Sequence, residues 1–113
     1  MRKESVLYCF FQINPVEVLA FKQKLRNYVV PRITTTTQML KNETQPITAL
    51  NVAFSQSGIN KLVQNTTIVG DVGDPVFAAG QAADAPNLGD DKTTWEPAFK
   101  SGNIDGVFII ASV

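Results

Sequence analysis

Histidine is absent from all 113 positions of the chain, and cysteine occurs once, as Cys9. The first absence removes the commonest general base, the usual proximal haem ligand and most zinc and copper sites. The second excludes an internal disulfide and a thiolate-held metal cluster. Cys9 sits in an apolar run with no base to activate it, so a buried, inert thiol is expected. Net charge is missing as well. Ten basic residues balance ten acidic ones, and no basic stripe of the kind that grips nucleic acid is present. No apolar run is long enough to cross a bilayer. The basic, then apolar, start "MRKESVLYCFF" lacks a small-residue cleavage site, so it reads as a strand, and any secretory leader is expected to have been removed already.

What is present suits one small α+β domain. Val6–Ile13 is apolar on both faces, a pattern that suits a central strand. Asn14, Pro15 and Glu17 announce a helix with Asn14 as N-cap and Pro15 first. Val18, Phe21, Leu25 and Tyr28 then form one apolar stripe, and Pro31 ends the helix. The threonine-rich stretch from Arg32 to Pro46 reads as a surface loop. Ile47–Ser55 is a second strand, and Ser57 is placed to cap a short helix through Ile59, Leu62 and Val63. From Gly70 to Ser101 glycine, proline and aspartate punctuate a long irregular excursion, of a length usually tied to function or interaction. Gly106–Val113 returns to a strand. The order is strand, helix, strand, short helix, long loop, strand, without an internal repeat.

Several side chains invite a functional reading. Asp71, Asp74, Asp84, Asp90 and Asp91 lie in the long loop. Calcium favours such oxygen-rich segments, but the spacing is not that of an EF-hand, and Asp/Gly pairs are ordinary turn formers. We therefore expect no metal site. Trp95 and Phe99, around Pro97, are apolar in a polar loop and serve either as core anchors or as interface anchors. Asn42 and Asn65 head the sequons Asn-Glu-Thr and Asn-Thr-Thr and are expected to carry sugars in a secreted protein. Thr34–Thr37 reads as a solvated loop rather than an O-glycosylated one.

Taken in order, "FFQIN", "YVVPRITTT", "NVAFSQSGIN", "GDPVFAAGQAADAPNLGD", "WEPAFK" and "GVFIIAS" resemble the N-terminal region of fungal dye-decolorizing peroxidases. The resemblance runs from about residue 6 to residue 113. It implies a ferredoxin-like antiparallel sheet with one long helix, a short helix and a long irregular loop. It also settles Gly102-Asn103-Ile104-Asp105-Gly106, which matches the G-x-x-D-G pattern that carries the catalytic acid of these enzymes. The family's acid lies further along, after another helix and strand, so Asp105 is expected to be a loop residue before a strand. The proximal histidine of the family belongs to its second domain. None of the three arginines here, Arg2, Arg26 and Arg32, matches the distal one. No catalytic residue and no cofactor site are therefore expected.

The resemblance further implies a truncated fold. A complete ferredoxin-like sheet adds a second long helix and a fourth strand. Without them the first strand has an unpaired edge and one sheet face is bare, a liability that proteins normally cover. Val6, Tyr8, Phe10, Trp95, Phe99, Phe108 and Ile110 are the candidate interface residues. Short peroxidase-like chains are similar to the small subunits of fungal heterodimeric laccases. That likeness implies a secreted, non-catalytic subunit which stabilises a large multicopper partner by binding only its folded state. Two alternatives stand beside it: a fragment of a haem peroxidase whose catalytic half is supplied elsewhere, and a free-standing binder of small apolar ligands.

Overall fold

The structure, a computed structural model, describes residues 3–40, 48–100 and 102–113. Three antiparallel strands form one sheet in the order β1-β3-β2, with β1 at Ser5–Phe11, β2 at Thr48–Phe54 and β3 at Gly106–Ser112. β1 and β2 both run antiparallel to the strand between them, so they are parallel to each other. This is a split β-α-β unit, the expected α+β arrangement. The apolar run of β1 suggests a central position, but among the described residues β3 is central and β1 pairs on one side only.

Helix α1 (Val18–Lys24) follows β1 and continues through a π turn at Leu25–Val29 and a 3-10 turn at Val30–Arg32. Its start corrects one sequence expectation. Asn14 makes a turn rather than an N-cap: its Oδ1 accepts from the Val16 amide at 3.1 Å and its carbonyl from the Glu17 amide at 3.0 Å. That leaves Glu17 as the capping position, without a side-chain bond. Nor does Pro31 stop the helix abruptly. It sits at the start of the 3-10 turn, where a missing N–H costs nothing, and the Arg32 guanidinium satisfies the Tyr28 carbonyl at 2.6 Å.

The stretch read as a loop after Arg32 contains a further helix, α2 (Thr36–Leu40). A reciprocal capping box opens it: the Gln38 amide donates to Thr35 Oγ1, and the Thr35 amide donates to Gln38 Oε1. Helix α3 (Gln56–Leu62) is capped by Ser55, whose hydroxyl accepts from the Gly58 amide, and not by Ser57.

The excursion from 70 to 101 is likewise more ordered than a loop. It carries α4 (Pro75–Ala79), α5 (Gln81–Asp84), α6 (Pro97–Lys100) and two 3-10 turns. The aspartates there do turn chemistry. Asp74 caps α4 at the Val76 and Phe77 amides, Asp71 accepts from the Gly73 amide, and Asp91 accepts from Thr93. These three carboxylates are thus engaged by their own local backbone, Asp84 and Asp90 accept from the Asn87 side-chain amide and the Trp95 indole, and among the described residues no group of acidic side chains is placed to hold a metal ion.

Paired residues across the sheet share a face. Leu7, Cys9 and Phe11 lie with Ile110, Phe108 and Gly106, and with Leu50, Val52 and Phe54. This is the helix side, where the Phe11 ring meets Phe21 of α1 at 5.5 Å and stacks on Phe108 at 4.8 Å. The opposite face carries Val6, Tyr8 and Phe10 beside Ala111, Ile109 and Val107. Among the described residues only Ile13 and Ala85 are buried hydrophobics, whereas sixteen large ones are exposed. The radius of gyration, 16.4 Å, exceeds the roughly 13 Å of a compact chain of this length.

Candidate functional site

Two places on this scaffold stand out, a buried polar corner and an uncovered apolar face. The corner forms where β1 ends, β3 begins and α3 packs between them. Asp105, immediately before β3, is only 1% exposed. Its Oδ2 accepts from the Ile13 amide at 2.6 Å and from the Lys61 ammonium at 2.6 Å, and its Oδ1 accepts from the Ser57 hydroxyl at 2.7 Å. Lys61 also donates to the Ile13 carbonyl at 2.9 Å. The Asp105 peptide is held as well, its N–H by the Phe11 carbonyl and its C=O by the Ser55 amide. Ser55 Oγ donates to the Ile104 carbonyl at 2.7 Å.

Local sequence explains how α3 reaches in. Ser57 and Lys61 are four apart, one turn above each other on a single helix face. Gly58 between them lets that face approach closely, since a Cβ there would collide with the Asp105 carbonyl. Burial by itself pushes the Asp105 carboxyl up. The hydrogen bond from Lys61, the Ile13 N–H, the Ser57 hydroxyl and the Lys61 charge together outweigh burial and hold it below the ordinary aspartate value of 3.8. Asp105 is the loop residue before a strand that the sequence suggests, but its burial and ion pair were not legible from the G-x-x-D-G spelling. Every donor around it belongs to the scaffold, so the corner holds three elements together.

The uncovered face is the second place. Val6, Tyr8 and Phe10 are each more than half exposed. Phe10 meets Phe99 of α6 edge-on at 4.9 Å, so two candidate interface residues are brought together, and Phe99 itself stays 39% exposed. Trp95 is half-buried, with its indole N–H on Asp90 at 3.0 Å. Phe108 and Ile110 point to the opposite, helix-side face and join a different surface from Val6, Tyr8 and Phe10. Ile110 lines a shallow cleft there with Leu50, Ile33 and Arg32. Asn65 is exposed in the turn after α3, with a φ of 59°, and Asn42 lies outside the described residues.

The two sheet edges also differ. The outer side of β2 is met by Thr34, whose amide donates to the Leu50 carbonyl at 2.9 Å and whose hydroxyl accepts from the Leu50 amide at 3.0 Å. The outer side of β1 has no strand beside it among the described residues.

The chemistry of the donors here does not fit an axial haem ligand. Cys9 is half-buried on the helix side of the sheet, while Tyr8 and Tyr28 are exposed on separate elements. No helix among the described residues is long and apolar enough to cross a membrane.

Comparison with known proteins gives this geometry a context. Residues 1–113 match the model of the DyP dimeric alpha+beta barrel domain. The dye-decolorizing peroxidase of Mycena epipterygia is 44% identical over 112 residues, covering 99% of this chain and 20% of that protein. Peroxidase 2 of Mycetinis scorodonius is 42% identical over 113 residues, covering 99% and 21%. The crystal structure of the decolorizing peroxidase of Auricularia auricula-judae superposes with a TM-score of 0.84 at 38% identity, over 95% of this chain and 23% of that one. The chain therefore spans about a fifth of the length of the curated relatives it matches. On the full-length match and these identities, the chain belongs to the dye-decolorizing peroxidase family, in the region of its N-terminal alpha+beta barrel domain.

Proposed function

We propose that this chain is the N-terminal scaffold portion of an extracellular haem peroxidase of the dye-decolorizing type. Its own residues build a strand-helix frame, and its bare sheet face and β1 edge pack against further protein of the same enzyme, which holds the redox centre. The observation that carries this reading is the missing core. Sixteen large hydrophobics are exposed and two hydrophobics are buried among the described residues, which leaves most of the large apolar surface without cover from this chain. Covering one such side chain stabilises by ~1.5–3 kcal/mol, against a typical margin of roughly 5–15 kcal/mol. The match of the whole chain to a fifth of each peroxidase supports the same conclusion.

Native mass spectrometry of the protein purified from its source, with an absorption spectrum, tests it. The expected result is a species well above 12.3 kDa with a Soret band. Co-purification with a multicopper laccase and no Soret band would replace this reading with that of an accessory subunit which stabilises the laccase. A homogeneous 12.3 kDa monomer would remove both.

A further inference from the structure

We propose that the Asp105–Lys61 pair is an acid-released latch that fastens the strand-to-helix corner at Ile13 to β3 and α3. The inference stands apart from the functional reading above. Asp105 holds the N–H of Ile13 and Lys61 holds its C=O, so the two halves of one ion pair grip both peptide groups of a single buried residue. Ile13 is 2% exposed and lies two positions beyond β1, on the only path from the sheet into α1. The gripping residues are 92 and 48 positions away in sequence. The latch is therefore a long-range tie rather than a local cap.

The chemistry of the pocket makes the tie sensitive to one proton. Oδ2 receives two donors and Oδ1 a third, so a proton added to the carboxyl is a donor facing donors. Lys61, from α3, is the charged group that faces it. From the end of β1 come the Ile13 amide and the Phe11 carbonyl, and from the end of β2 come the Ser55 amide and hydroxyl; none of these titrates. Protonation thus removes the charge opposite Lys61 and frees Ile13, and with it the corner that leads to the Phe11–Phe21 contact. The Lys61 side chain is 28% exposed, so water reaches the pair from that side.

The test is amide exchange followed at Ile13 across acidic pH, in the full protein and in the assembly in which it is purified. Opening linked to one proton lowers Ile13 protection about tenfold per pH unit once Asp105 titrates, while the Asn51 amide, which faces β3 from the middle of β2, stays unchanged. Asp105→Asn keeps an acceptor but has no charge to lose, so its Ile13 amide should be less protected and lack the acid step. Lys61→Gln removes a group that favours the carboxylate and should move the step to higher pH. Three results overturn the latch: a flat Ile13 profile in the wild type, a fall shared equally with Asn51, or an unchanged step in Asp105→Asn. Should that variant fail to fold, an unmoved step in Lys61→Gln overturns it equally.

Discussion

The corner at Asp105 and the bare face of β1 lie within one small sheet, and they are finished to different degrees. At the corner every polar atom of a buried aspartate meets a partner from β1, β2 or α3. On the face a few residues away, Val6, Tyr8 and Phe10 stand open beside Ile109 and Val107. Polar groups buried without partners are costly, and this chain satisfies the buried Asp105 carboxylate with its own atoms. Apolar surface can instead await another protein surface, because the hydrophobic effect is indifferent to which chain supplies the cover. On the proposed reading, the contrast separates what this chain satisfies with its own atoms from what further protein would cover.

That difference can be broken first at the corner, where the largest effect is expected. Asp105→Ala leaves Lys61 facing a cavity and the Ile13 amide unpaired, at a cost of about 3–5 kcal/mol. Denaturant unfolding should show this loss equally in the chain alone and in its assembly, because both partners lie within the chain. The sign of its pH dependence follows from the lowered carboxyl. The stabilisation from Asp105 is present above the ordinary value of 3.8 and is lost as pH falls through the lower folded-state value. Wild type and Asp105→Ala should therefore converge in stability at strongly acidic pH.

The smaller effect belongs to the face and depends on state. Tyr8→Lys on the 113-residue chain alone should change stability by no more than about 0.5 kcal/mol, as for a surface position. In the assembly the same change should weaken association by ~1.5–3 kcal/mol, the worth of one buried large side chain plus the charge now placed there. Titration of the variant against the assembly's remaining protein measures it. Equal effects in the two states would erase the distinction between corner and face.

Much of the fold was legible because it rests on local signals. The apolar runs mark all three strands within two residues at each end, and the stripe from Val18 to Tyr28 marks α1 together with the π turn that continues it. What was missed has physical reasons. Thr35 and Gln38 spell a capping box, but the surrounding threonines favour extended backbone, so local sequence points to a loop where α2 forms. Ser55 and Ser57 are both competent caps, and only the position of Asp105, 48 residues away from Ser57, decides which hydroxyl is free for the helix. The corner was invisible for the same reason. Ser57, Gly58 and Lys61 sit on one helix face in plain view, yet nothing local names the carboxylate they meet. Val6, Tyr8 and Phe10 share one sheet face, whereas strand alternation places Phe108 and Ile110 on the other side of the sheet.

Site-resolved amide exchange on β1 reports most directly on the claim that this surface awaits further protein. The account predicts that the β1 amides not bonded to β3 exchange rapidly in the 113-residue chain alone and become protected in the native assembly. Equal protection of those amides in both states would contradict it.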